Sequence, residues 1–304
     1  MTCTARPDIY RTITDRIVAA VEASPGDPVM PWQRGGFRAV LPRNAVTGND
    51  YRGINILSLW VTALERGYEA GLFATYKQWA SIGAQVRKGE SAAPIVFYRE
   101  LEIARDRKGD DQADETETVR MARGYWVFAA EQVDGFTAPH ALPPDPITRI
   151  AAADAYVAAT GARVIVGGST ACYRSATDTI HMPDETRFLD GDGRTRSEAY
   201  YAVLSHELVH WSGAEARLKR ALDARFGDDA YAMEECVAEI GAAFLCAHFG
   251  IAQEPHPDHA RYVHHWLKIM KTDARAVFAA AARAQEAVTY LDGLQSPAAR
   301  QSAA

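Results

Sequence analysis

Residues 203–213 read VLSHELVHWSG, and inside them His206, Glu207 and His210 fill the pattern HExxH. Val203, Leu204, Leu208, Val209 and Trp211 surround the three with apolar side chains, and no proline interrupts them. This predicts a buried helix. On it, His206 and His210 stand about 40° apart around the axis and one turn apart along it, so both imidazoles can reach one ion. Glu207 falls on the adjacent flank, placed to hold and deprotonate a water on the metal instead of ligating it.

A catalytic metal site of this kind needs a third protein ligand and an open position. The downstream run YAMEECVAEIGAAFLCAHFG, residues 231–250, offers Glu234, Glu235 and Glu239 on an otherwise apolar helix. Glu235 and Glu239 share a face at i and i+4, where buried carboxylates need partners. We assign Glu235 as the ligand and Glu239 as the acceptor that orients a histidine through its second ring nitrogen, with the exchange of those roles open. Glu234 is expected to face solvent. The plainer alternative is two core histidines hydrogen-bonded to glutamates. The other histidines, at 140, 181, 248, 256, 259, 264 and 265, lack such spacing, and among Tyr200, Tyr201 and Tyr231 one is a candidate oxyanion donor.

Outward from this centre, everything beyond Arg196 reads as helical: Glu198 to Trp211, Asp229 to Phe249, and Asp258 to Leu291 with a break near Thr272. Before it come a helix at Ile147–Thr160, a strand in ARVIVGG and a hairpin in ACYRSATDTIHM turning at Ser175–Asp178. Pro139, Pro143, Pro144 and Pro146 mark a linker. The domains expected are therefore 1–138, a linker at 139–147, and 148–304. In the first, helices are expected at Asp8–Ala23, Ile54–Gly67 and Tyr76–Ile82, and strands in PIVFYREL and VRMARGYWVFAAEQV. The charged run between those strands, residues 105–118, is expected to be a mobile hairpin loop.

The chain has 304 residues, 48% hydrophobic and 24% charged, which excludes disordered, collagen-like and coiled-coil chains. No run approaches a membrane span and the start lacks an export signal, so a cytoplasmic protein without a membrane partner is expected. Its four cysteines form no CxxC pair and read as free thiols. Charge is uneven: residues 1–100 hold 12 Lys and Arg against 9 Asp and Glu, and the remainder 21 against 30. Within residues 28–99 the basic groups interleave with ten aromatic rings, the mixture that single-stranded nucleic acid binding uses. Arg52, Lys77, Arg87 and Lys88 are candidate phosphate contacts, Asn55 and Gln78 candidate hydrogen-bonders, and Tyr51, Tyr76 and Trp79 candidate stacking rings. Net acidity argues against indiscriminate duplex binding.

Several motifs in one order resemble the antirestriction proteins of the ArdC type: PWQ at 31–33, PRNAVTGNDYRGIN at 42–55, TYKQW at 75–79, GAQVRKGE at 83–90, HMP at 181–183, HELVHWSG at 206–213, RLKR at 217–220 and FGDDAYAMEECVAEIGAAFL at 226–245. The resemblance implies a two-domain α+β protein, with a small sheet-and-helix domain binding single-stranded DNA followed by a zincin-like metallopeptidase domain. It also implies protection of incoming DNA from host restriction, and Zn²⁺, or another divalent ion such as Mn²⁺ or Co²⁺, at His206, His210 and Glu235. A protein of the host restriction pathway is the substrate class in view. The acidic stretch from Asp106 to Glu117 is longer than that family's expected connection. Two rivals remain: a regulatory metallopeptidase cleaving a repressor, as ImmA-like proteins do, and a DNA-coating protein with a structural metal.

Overall fold

In a computed structural model of the chain, residues 8–24, 28–34, 37, 39–104, 116–139, 146–191, 194–220, 222, 229–252 and 259–295 are described. Helix α1 (Ile9–Glu22) starts where the Asp8 carboxylate accepts from the Tyr10 N–H, and it buries Ile13, Ile17, Val18 and Val21. A 3-10 turn at Pro31–Gln33 precedes β1 (Arg43–Asn44) and α2 (Ile54–Arg66). Gly67, at φ +69°, stops α2 in the left-handed conformation that favours glycine. There follow β2 (Leu72–Ala74), α3 (Tyr76–Ser81), β3 (Gln85–Val86), β4 (Ala93–Ala104), β5 (Thr116–Ala129) and β6 (Val133–Asp134). Strands β4 and β5 form a long antiparallel ribbon joined through β2 to β1, in the order β1-β2-β5-β4, while β3 pairs with β6. The tip expected to be a mobile loop lies, at 105–115, outside the described residues.

The second segment runs through α4 (Pro146–Thr160), β7 (Arg163–Val166), β8 (Cys172–Arg174), β9 (Thr179–Met182), α5 (Arg196–Ser212), α6 (Asp229–Phe249), α7 (His259–Thr272) and α8 (Ala276–Gly293). Its sheet has the order β7-β9-β8, leaving β8 at an edge. The break foreseen near Thr272 falls between α7 and α8. No helix among the described residues is long and apolar enough to cross a membrane.

One apolar core crosses the boundary expected at residues 139–147, of which 140–145 lie outside the described residues. Trp32 packs against Trp60 of α2, and Trp60 against Phe244 of α6. The Thr14 hydroxyl donates to the Ala274 carbonyl at 2.7 Å, and the Gly53 N–H to Gln285 of α8 at 3.0 Å. The proline cluster ends at Pro146, the first residue of α4, and is silent on which surfaces α1 and α2 cover.

Candidate metal centre

Helix α5 is started by a capping box in which the Thr195 hydroxyl accepts from the Glu198 N–H and the Glu198 carboxylate accepts from the Thr195 N–H at 2.9 Å. Three turns on, His206 and His210 present their Nε2 atoms to each other at 3.1 Å. Helix α6 brings Glu235 across, its two oxygens 3.5 Å from His206 Nε2 and 3.6 Å from His210 Nε2. Ligand atoms of the three residues lie within 4.8 Å of one another, and the set of two imidazoles and a carboxylate is one that suits a divalent metal. The helices approach this closely because residue 241 is glycine: a Cβ there would stand 2.7 Å from Val209 Cγ2 on α5.

Burial is the largest influence and works against protonation of both histidines, but carboxylate hydrogen bonding and negative charge together outweigh it: Glu235 accepts from His206 with the charges of Glu239 and Glu207 nearby, and Glu234 and Glu235 both accept from and attract His210. Both imidazoles are held above the ordinary histidine value, His210 well above it. Burial pushes Glu235 up, and the two histidines overcome that and hold its carboxyl below the usual range.

Behind each histidine stands a further carboxylate. Glu239 Oε1 lies 3.9 Å from His206 Nδ1, and its other oxygen accepts from the Gln33 side-chain amide at 2.6 Å. Glu234 corrects an expectation: it is 8% exposed and does not face solvent. Its Oε1 stands 3.3 Å from His210 Nδ1, and the Arg220 guanidinium donates to both its oxygens at 3.0 Å. Arg220 comes from the RLKR segment beyond α5 and also donates to Ser212 Oγ at 3.1 Å. That buried cation, which periodicity along α6 cannot reveal, is what lets a carboxylate at position 234 turn inward. A Cβ at Gly213 would stand 2.8 Å from the same guanidinium, which gives the glycine of HELVHWSG a reason.

Glu207 lies on the neighbouring flank, 3% exposed, its Oε2 accepting from the Tyr173 N–H of β8 at 2.6 Å. Cys172, Tyr173, Glu207, Tyr231, Glu235 and Tyr262 line a cleft of about 300 Å³ over the two histidines. Of the three candidate oxyanion tyrosines only Tyr231 is there; Tyr201 donates to Asp154 and Tyr200 packs on Phe188. Among the remaining histidines, His181 bonds Thr179, His248 packs on Phe249 and His265 bonds Asp229, whereas His140 and His256 lie outside the described residues.

The nucleic-acid candidates divide in two. Arg52, Tyr76, Lys77, Arg87 and Lys88 are exposed, Arg87 being paired with Glu90 at 2.9 Å. The side chains of four others are engaged within the fold. Trp79 is wholly buried with its indole N–H donating to the Phe128 carbonyl, and Tyr51 is buried with its hydroxyl donating to the Phe73 carbonyl. Asn55 bonds the Val96 N–H and carbonyl at 2.8 and 2.9 Å, and Gln78 closes the cap of α3. The structure exposes a different aromatic face on the β4–β5 ribbon. Phe97 lies opposite Arg123 and Ile95 opposite Tyr125, so Phe97, Arg123 and Tyr125 share a side. The Phe97 and Tyr125 rings meet edge to face at 5.4 Å with the Arg123 guanidinium over Tyr125.

The model of the zincin-like metallopeptidase family matches residues 151–283, and that of the N-terminal domain of anti-restriction factor ArdC matches residues 7–128. The crystal structure of the antirestriction ArdC protein from plasmid R388, in metal-free form, superposes with a TM-score of 0.76 at 37% identity, covering 94% of this chain and 97% of that one. The chain belongs to the ArdC antirestriction family. The Mn(II)-bound form of R388 ArdC matches with a TM-score of 0.74 at 36% identity, over 94% of this chain and 98% of that one. An uncharacterized protein of Sinorhizobium fredii, y4eC, is 43% identical over 96% of this chain and 94% of its own length. A DNA primase TraC of Escherichia coli is 34% identical over 91% of this chain, which spans 26% of the primase. The ArdC-type module thus also occurs as part of a longer protein.

Proposed function

We propose that this ArdC family member binds single-stranded DNA through its N-terminal segment, carries a divalent-metal peptidase site, and protects DNA entering the cytoplasm from restriction. The observation that carries the peptidase reading is the convergence of His206, His210 and Glu235 with Glu207 on one cleft. These three would hold the ion, with Zn²⁺ favoured by the nitrogen and carboxylate set and Mn²⁺ or Co²⁺ able to replace it. A bound divalent ion supplies Lewis acidity to a scissile carbonyl and acidity to a water. Glu207, fixed by the Tyr173 N–H, takes the proton from the attacking water and returns it to the leaving amine. The Tyr231 hydroxyl, on the cleft wall, donates to the developing oxyanion. An extended polypeptide fits along β8, an edge strand lining the cleft, and a polypeptide of the restriction pathway is the substrate class proposed.

Strand contact is assigned to exposed Arg52, Lys77, Lys88 and Tyr76 and to the Phe97, Arg123 and Tyr125 face, which together offer phosphate-neutralising charge and free ring surface. The test is the survival of unmodified DNA entering a restricting host that expresses wild type or Glu207→Gln at equal levels. Lost protection with retained metal binding in the variant supports a hydrolytic role. Full protection by Glu207→Gln would leave strand coating as the activity and the metal as scaffold.

A further inference from the structure

Gln33 sits in the segment matched to the ArdC N-terminal domain, far in sequence from the ligand helices, yet its side chain ends inside the metal centre. The 3-10 turn Pro31–Gln33 is buried throughout, and the tilted and edge-to-face ring contacts Trp32–Trp60 and Trp60–Phe244 hold it between α2 and α6. Phe244 follows Glu239 by five residues on α6, so the turn and the carboxylate are held by one rigid element. Gln33, 8% exposed, donates from Nε2 to Glu239 Oε2 at 2.6 Å, and Glu239 is 4% exposed. A primary amide is buried at a cost that only such a bond offsets.

The chemistry of the donor matters. A lysine or arginine in this place would neutralise Glu239. A neutral amide fixes one carboxylate oxygen and leaves the negative charge to act on the other side, where Oε1 stands 3.9 Å from His206 Nδ1. At 3.9 Å, beyond hydrogen-bond length, the Glu239 charge favours a proton on Nδ1 and so a free lone pair on Nε2, which faces Glu235 and His210. We infer that Gln33 is a positioning residue of the metal centre: through Glu239 it sets the orientation and tautomer of His206, so the N-terminal segment completes the site of the peptidase segment. This rests on the metal reading above.

The test is Zn²⁺ affinity of the full chain, measured by competition with a chromophoric chelator, for wild type, Gln33→Met, Glu239→Gln and the double variant. Gln33→Met keeps bulk and loses the donor. Gln33→Asn, one methylene too short to reach, serves if the Met variant fails to fold, and melting of the metal-free proteins establishes folding. About tenfold weaker binding is expected from each single change, the lower end for groups that support a ligating histidine. The double variant should bind no more than about twofold more weakly than Glu239→Gln, because Gln33 acts through that carboxylate. Wild-type affinity in a folded Gln33→Met or Gln33→Asn protein, or losses that multiply in the double variant, would overturn the inference. Wild type without measurable Zn²⁺ binding would overturn the metal reading itself and this role with it.

Discussion

Gly241→Ala is the sharpest test of how the ligand set is held together. The added methyl would stand 2.7 Å from Val209 Cγ2 and 3.1 Å from Cγ1, against the roughly 3.8 Å at which carbon atoms rest. Val209 is β-branched and nearly locked in one rotamer on a helix, so it cannot swing aside cheaply. The remaining response is for α5 and α6 to part by about 1 Å near the contact. Overpacking of this kind costs about 1–3 kcal/mol, and alanine returns about 1 kcal/mol over glycine within a helix. The folded protein should therefore survive with a small loss of melting temperature. The metal centre should not escape so lightly, since α5 carries both histidines and α6 carries Glu235, so the separation falls wholly between ligands. Sites of this sort tolerate displacements of about 0.5 Å, and we expect Zn²⁺ affinity to drop roughly tenfold, about 1.4 kcal/mol. Chelator competition reads the affinity and a metal-free melt reads the fold. A folded Gly241→Ala protein with wild-type affinity refutes the reasoning, because the helices would then be free to adjust without disturbing the ligands.

Acid and base should act oppositely on the metal-free and loaded protein. His206 and His210 are raised above their usual 6.5 in the metal-free chain, so the stability they contribute is full below that pH and is lost as pH climbs through the raised values. Metal needs both rings neutral, so Zn²⁺ affinity should keep rising above pH 6.5 while the metal-free melting temperature falls; an affinity flat from pH 6.5 to 8.5 would contradict the raised values. On the N-terminal side, Phe97→Ala and Tyr125→Ala should each weaken binding of a short single-stranded oligonucleotide by about 1–3 kcal/mol in a fluorescence anisotropy titration, with a shallow dependence on salt. Unchanged affinity in both variants would remove the ribbon face from the DNA surface.

How much of this was legible in the sequence follows from what periodicity can carry. The HExxH spacing is a property of one helix, and so is the pairing of Glu235 with Glu239; both are read without knowing what α5 packs against. The break between α7 and α8 and the hairpin of β8 with β9 are local in the same way. Glu234 turns inward, against the sequence expectation, because its partner Arg220 reaches it from a separate segment. The role of Gln33 is hidden for the same reason, as its partner lies 206 positions away.

The nucleic-acid candidates divide for a related reason. Lysine and arginine at turns project into water in nearly any fold, and Arg52, Lys77 and Lys88 are exposed as composition suggests. Aromatic and amide side chains have two uses, and a segment alone does not choose between them. The Trp79 indole and the Asn55 amide satisfy backbone groups of β5 and β4 that would otherwise be orphaned where a short helix meets a strand. Besides Tyr76 on α3, ring faces are left free for a base on a ribbon that continues past its core, where Ile95 is buried and Phe97, two residues on, is not. Burial along a strand changes with its position over the neighbouring layer, and that position is set by tertiary packing. A stacking surface on a sheet therefore becomes visible only once the register of β4 against β5 and the limit of the core beneath them are both known.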